Sequence, residues 1–209
     1  IKSIIDKSNV STLNCYEEVE LSEKILSLCP WADRVKFART GGELNSIAIR
    51  IARAATGRDK IAVCGYHGWH DWYLAANLKN KNNLKNHLFS NLNPAGVPKN
   101  LKNTIFTFEY NNFKDLEKII SKHKIAAIKM EVMRNQLPKD GFLQKVRKIA
   151  NKNNIVLIFD ECTSGFRETY GGIYKKFEII PDIVLFGKAL GNGYPITALV
   201  GKSEILDFS

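Results

Sequence analysis

The sequence contains no uninterrupted apolar run of about 18 residues, the length a helix needs to cross a bilayer. Its first residues also lack a basic segment followed by an apolar signal core. A membrane span and a secretory leader are therefore not expected, and a cytoplasmic location is. Cysteine is sparse, with four in 209 residues. Cys15, Cys29, Cys64 and Cys162 stand far apart with no C-x-x-C pair, which argues against a zinc ribbon or a disulfide scaffold and for reduced thiols in a core or pocket. Acidic residues are in the minority, 21 against 31 lysines and arginines, for a formal charge of +10. Such an excess suggests nucleic acid, but many of the lysines fall in a Lys- and Asn-rich stretch, Asn77 to Lys102, without a basic helix or interleaved aromatics. That stretch reads as a solvated loop, and a nucleic-acid binder or non-catalytic scaffold is a remote alternative.

What remains is ordinary globular material. The chain is 44% apolar and 25% charged, which excludes disordered and collagen-like classes. It begins at Ile1 and stops at Ser209 soon after a strand-like run, so a fragment of a longer protein is expected. Short β-branched runs alternate with longer amphipathic segments, the pattern of an α/β sheet with helices on both faces. Strands are predicted at Arg34 to Ala38, Lys60 to Cys64, Thr104 to Phe108, Ala126 to Val132, Ile155 to Phe159, Asp182 to Phe186 and Thr197 to Gly201. Helices are predicted at Glu17 to Leu28, Glu43 to Thr56, Phe113 to Lys122 and Gly141 to Asn153. About ten residues separate the last two strands, too few for a parallel crossover, so the last should run antiparallel in a seven-stranded, otherwise parallel sheet. Trp72 to Asn103 is too long for an ordinary connection, and is either an insert or a functional segment. Its asparagines and lysines suggest no core, and because both ends lie beside the candidate site, a mobile lid is expected.

In parallel sheets ligands bind beyond the carboxyl ends of the strands, which directs attention to four places. After the first strand, Thr40, Gly41 and Gly42 open a helix, where glycines and free amides can hold an anion. After the second, Tyr66, His67, Gly68, Trp69 and His70 put flat rings at a strand end, suited to stacking on a planar group. His67 and His70 could bind a metal, but the sequence offers no third ligand, and no metal is expected. The fifth strand ends in Asp160 and Glu161, and an acid at the buried end of an apolar strand needs a cationic partner. The sixth ends in Gly187 and Lys188, where a partly buried amine could form a Schiff base. An anion cradle, a stacking ring, a buried acid and a lysine are together the parts of a pyridoxal phosphate site.

With these residues in view, the chain resembles the large domain of class III, fold-type I pyridoxal phosphate aminotransferases, in particular their glutamate-1-semialdehyde aminomutase-like branch. The resemblance runs through Arg39 to Arg58, Tyr66-His67-Gly68, Gly96-Val97-Pro98, Asp160 to Arg167 and Pro181 to Pro195. It implies a helical lead-in over residues 1–30, a cofactor-binding large domain over 31–209 and a small C-terminal domain beyond. It further implies that Lys188 carries the cofactor aldehyde and shuttles protons, and that Asp160 pairs with the ring nitrogen. Tyr66 would stack on the ring with His67 beside it, Thr40, Gly41 and Gly42 would hold the phosphate, and Glu131 would line the site. The partners implied are a small amino donor, a carbonyl acceptor and a second copy of the chain, with transamination or the intramolecular aminomutase reaction as the activity. Two departures stand out: Gly42 replaces a usual Ser or Thr, removing a phosphate hydroxyl, and Val132 replaces a usual Pro.

Overall fold

The computed structural model describes residue 6, residues 15–87 and residues 92–208. Residues 1–5 and 7–14 of the expected lead-in lie outside the described set, as do residues 88–91 of the expected lid. The lead-in that is described forms helix α1, Tyr16–Leu28. Strand β1, Arg34–Ala38, leads into helix α2, Gly41–Thr56, and strand β2, Lys60–Cys64. After the short helix α3, Asp71–Leu74, come β3, Ile105–Thr107, α4, Phe113–Lys122, and β4, Ile125–Met130. Helix α5, Phe142–Lys152, then precedes β5, Val156–Glu161, β6, Ile183–Phe186, β7, Thr197–Gly201, and the single turn α6, Ser203–Leu206.

The seven strands form one sheet in the order β1-β7-β6-β5-β4-β2-β3. Strand β7 is antiparallel to both its neighbours, β1 and β6, and the other pairings are parallel. The short connection before Thr197 thus reverses the chain, as expected. On one face α2 packs Leu44, Ala48 and Ile49 in a cluster with Ile61, Val63 and Ile158. On the other, Leu116 of α4 and Phe142 and Val146 of α5 join Ile128, Leu157 and Phe159. Both clusters are closed to solvent, which is why the central strands read as continuous apolar runs instead of alternating ones.

Several predicted boundaries move for identifiable reasons. Helix α2 begins at Gly41, two residues before the predicted start, because Thr40 caps it: its hydroxyl accepts the Glu43 amide while the Glu43 carboxylate accepts the Thr40 amide, a reciprocal capping box. Strand β5 continues through Asp160 and Glu161 because β6 pairs with both, at Leu185 and Phe186. Strand β4 ends at Met130, short of Glu131 and Val132.

The expectation of an unpacked segment over residues 72–103 is corrected. Trp72, Tyr73, Ala75, Ala76, Leu84 and Val97 are buried and belong to the cluster under α2. The asparagines are structural: Asn77 donates to the Leu92 carbonyl at 2.7 Å and accepts the Leu84 amide at 3.0 Å, and Asn83 donates to the Ala76 carbonyl at 2.7 Å. A few apolar anchors and side-chain amides that satisfy backbone groups let a polar segment pack. No helix among the described residues is long and apolar enough to cross a membrane.

Candidate active site

The carboxyl ends of β2, β4, β5 and β6 and the N-terminus of α2 open onto one cavity of about 230 Å³, lined by Gly41, Gly42, Tyr66, His67, Glu131, Asp160 and Lys188 among others. Because β7 is reversed, its first residue, Thr197, reaches the same end of the sheet and lines the same cavity. The topology thus collects onto one rim residues that lie more than 150 positions apart in the chain.

Asp160 is buried, at 5% exposure. Its Oδ1 accepts the Cys162 amide at 3.1 Å, and its Oδ2 stands 2.9 Å from His67 Nδ1 and 3.5 Å from Lys129 Nζ. Burial alone would push the Asp160 carboxyl up, but the Lys129 ammonium and His67 outweigh it and hold the group well below the usual carboxylate range. Glu161, the next residue, lies on the other side of the strand and serves the fold. It accepts the Ser164 hydroxyl at 2.7 Å and the amides of Ile173 and Tyr174 at 2.8 Å each, anchoring the turn beyond the strand.

Lys188 follows β6 with a left-handed backbone, φ 45°, a conformation uncommon for a side-chain-bearing residue and frequent at functional sites. Its amine donates to Thr163 Oγ1 at 2.8 Å, so the turn after β5 holds the lysine over the cavity. The partly buried setting expected for Lys188 is not found; its side chain is exposed.

The anion cradle is narrower than expected. The Thr40 side chain is occupied in the helix cap and does not line the cavity. Glu43 Oε2 also takes the amides of Arg39 and Thr40, at 3.1 and 2.9 Å. That leaves Gly41 and Gly42, in the first turn of α2 where amides lack intrahelical partners, lining the cavity at the positive end of the helix dipole. The absence of a side chain at Gly42 has a local cause: a Cβ there would lie 2.8 Å from His70 Nε2. The His70 ring is fixed from its other nitrogen, 2.8 Å from the Ser46 hydroxyl.

Tyr66 lines the cavity and packs edge-on against Tyr73 at 6.1 Å between ring centroids. Trp72 is buried and belongs to the core, whereas Trp69 is 68% exposed at the cavity rim. The turn carrying Tyr66 is braced from the segment that follows it, since Tyr73 donates to the Gly65 carbonyl at 2.8 Å and His87 Nδ1 lies 2.8 Å from the same oxygen. Gly65 needs its lack of a side chain twice over: φ is +102°, and a Cβ would meet Glu131 Oε2 at 2.6 Å. Glu131 accepts the Tyr66 amide at 3.3 Å and forms a bidentate pair with Arg134. No cluster of His, Cys, Asp or Glu that could hold a metal ion occurs among the described residues.

Sequence reasoning missed Arg134, Thr163 and Lys129. Arg134 and Thr163 sit in irregular segments whose spacing carries no pattern. Lys129 did carry a signal, a lone cation inside an otherwise apolar strand, Ile125–Met130.

The sheet order with its reversed strand and a cavity built on strand ends define the large domain of a fold-type I transaminase. The match to known proteins agrees and is more specific: residues 2–209 fit the family model for class-III aminotransferases, and the chain belongs to that family. It is 37% identical to a 3-aminobutyryl-CoA aminotransferase of Cloacimonas acidaminovorans over 99% of its own length and 48% of the relative's. It is 39% identical to a glutamate-1-semialdehyde 2,1-aminomutase of Sulfolobus acidocaldarius, over 91% of this chain and 46% of that one. Among solved structures, an omega-transaminase from Sphaerobacter thermophilus superposes with a TM-score of 0.84 at 27% identity, covering 98% of this chain and 49% of its own. The chain spans about half the length of the curated relatives it matches.

Proposed function

We propose that the protein carrying this chain is a pyridoxal phosphate-dependent aminotransferase that moves an amino group from a small amino donor to a carbonyl acceptor. The observation that carries the proposal is the convergence on one cavity of a lysine amine, Lys188, and a buried carboxylate, Asp160, beside the amides of Gly41 and Gly42. These donors suit the cofactor. Gly41 and Gly42 would hold its phosphate, Asp160 its ring nitrogen and Lys188 its aldehyde, and the buried Asn45 Oδ1, which has no hydrogen-bond partner among the described residues, lines the same cavity. Bound pyridoxal phosphate supplies an aldehyde that condenses with amines and a ring that accepts electron density.

The remaining chemistry belongs to the chain. His67 fixes the Asp160 carboxylate, which would present a negative charge to the ring nitrogen. Thr163 holds the Lys188 amine where it can take up and return a proton. Tyr66, which lines the cavity, would cover one face of the ring, and the Glu131 and Arg134 pair fixes the turn that carries Tyr66. The intramolecular variant, in which donor and acceptor carbons belong to one substrate, uses the same residues. Similarity to aminomutases supports it as the second reading, and exchange of labelled nitrogen with an added keto acid separates the two.

The reading extends to a large domain over residues 31–209 followed by a small C-terminal domain, and to a homodimer. A cytoplasmic location is in keeping with the four free cysteines. The test is borohydride reduction of the full-length protein loaded with pyridoxal phosphate, followed by peptide mapping. The label is expected on Lys188, with a visible absorption band that Lys188→Ala abolishes. Label on another lysine, with the band intact in Lys188→Ala, would overturn the assignment.

A further inference from the structure

Lys129 is a fully buried cation in this region that the proposed chemistry leaves without a task. It projects from the middle of β4 with its side chain at 0% exposure, level with Val63 of β2 and Ile158 of β5 in the parallel register. Its Nζ has no hydrogen-bond partner among the described residues, and its one ionic contact is Asp160 Oδ2 at 3.5 Å. A buried ammonium with a single carboxylate is costly to keep, because the desolvation of both ions offsets much of their attraction. An apolar side chain at this place in the strand would pack without that cost. Burial pulls the Lys129 ammonium below its ordinary range and Asp160 is the chief group that opposes this; among the described residues Asp160 is the one carboxylate in ion-pair contact with it.

Asp160 is also the residue placed against the cofactor's ring nitrogen, so this inference rests on the proposed function. One carboxylate cannot fully compensate two cations. Its Oδ1 is taken by the Cys162 amide and its Oδ2 is shared by His67 and Lys129. We propose that Lys129 competes with the cofactor's ring nitrogen for the charge of Asp160, and so lowers the pH at which that nitrogen gives up its proton. Lys129 is then a positioning residue acting through Asp160, and it sets how strongly the ring withdraws electrons.

The charged and titratable groups around Lys129 are few. Asp160 and Cys162 face it from β5 and the turn beyond, Glu131 from the end of β4, and His67 from the turn after β2. Helix α2, which covers this side of the sheet, buries Leu44, Asn45, Ala48, Ile49, Ile51 and Ala52 and no titratable side chain. Glu131 is engaged by Arg134, and burial raises the Cys162 thiol well above its ordinary range. Asp160 is thus the acid through which Lys129 can act on the cofactor.

The test uses the full-length holoenzyme carrying pyridoxal phosphate labelled with 15N at the ring nitrogen, whose chemical shift is followed against pH in the wild type, Lys129→Met and Lys129→Gln. Loss of the lysine charge is expected to raise the pH at which the ring nitrogen deprotonates by about one unit or more, the size of effect a nearby like charge exerts. An unshifted titration in a variant that folds and holds the cofactor would overturn the inference while leaving the proposed function standing. Failure of the wild type to bind the cofactor would overturn both. A measurement on the wild type alone covers the case in which neither variant folds. Because coupling is reciprocal, the 13Cε signal of Lys129 should titrate at lower pH with cofactor than without it, and an identical titration in both states would equally overturn the competition.

Discussion

The Lys188 amine is tied to the Thr163 hydroxyl at 2.8 Å, an interaction between the turns that follow two adjacent strands, β6 and β5. Since a hydrogen bond of this kind contributes roughly 0.5–1.5 kcal/mol, its loss is worth about a 2- to 12-fold change in an equilibrium or rate. Thr163→Val is expected to slow loading of pyridoxal phosphate within that range, and Thr163→Ser to restore it. Stopped-flow absorbance during reconstitution of the apoenzyme measures the rate directly. Equal rates in the wild type and Thr163→Val would remove Thr163 from the positioning of the amine.

Asp160 carries the second prediction. Its carboxyl is held low in the folded protein, chiefly by Lys129 and His67 against the opposing effect of burial. A depressed acid contributes stability that is fully present above its unfolded value, about 3.9, and is lost as the pH falls through the folded value. Asp160→Asn should therefore flatten the acid limb of an unfolding curve below about pH 4. Under the proposed function the same change removes the negative charge that would face the ring nitrogen while retaining a polar side chain, so turnover should fall far more than cofactor affinity. Equilibrium dialysis and steady-state kinetics on one preparation separate the two quantities.

The central strands β2, β4, β5 and β6 were legible because each is a largely apolar run buried on both sides, and the reversal of β7 followed from the short connection before Thr197. The sites of Lys188 and Asp160 followed from the rule about strand ends. Alternation along the strand puts Asp160 and Glu161 on opposite faces; the choice of Asp160 came from the family resemblance, and Asp160 lines the cavity while Glu161 anchors the turn beyond the strand. Thr40 was assigned to a phosphate although Thr40-Gly-Gly-Glu43 already spells a capping box, and the cap is what the hydroxyl serves. Composition misled over residues 72–103 because a count of asparagines does not reveal that Asn77 bonds two backbone groups seven and fifteen residues away.

Gly42 provides a third test. Family resemblance suggests that Ser at this position would add a phosphate hydroxyl, but the Cβ would approach His70 Nε2 to 2.8 Å and disturb its 2.8 Å contact with Ser46. Overpacking of this type costs on the order of 1–3 kcal/mol, and the low end applies here because the His70 ring can move. Gly42→Ser alone should therefore weaken cofactor binding. With His70→Ala added, the serine should gain room and the loss should reverse, a non-additivity that a double-mutant cycle of dissociation constants detects. Additive effects would mean that the two residues do not share the space.

The packing of the segment after the aromatic turn gives the last prediction. Leu84 is at 0% exposure and lies in the cluster under α2, while His87, three residues on, lies 2.8 Å from the Gly65 carbonyl oxygen beside the cavity. A lid that opens freely could lose Leu84 at little cost. A packed brace could not, because truncating a fully buried leucine costs about 2–5 kcal/mol. For a protein of this size that corresponds to a fall in Tm of roughly 4 °C or more. Leu84→Ala is expected to show that fall by calorimetry. His87→Ala, which leaves Leu84 in place but removes the contact at Gly65, should act mainly on the turn carrying Tyr66 and so weaken cofactor binding more than it lowers Tm. A Leu84→Ala protein with unchanged Tm would restore the mobile-lid reading. The paired outcome, a stability loss from one residue and a binding loss from the other, would tie the polar segment to the site as a structural support.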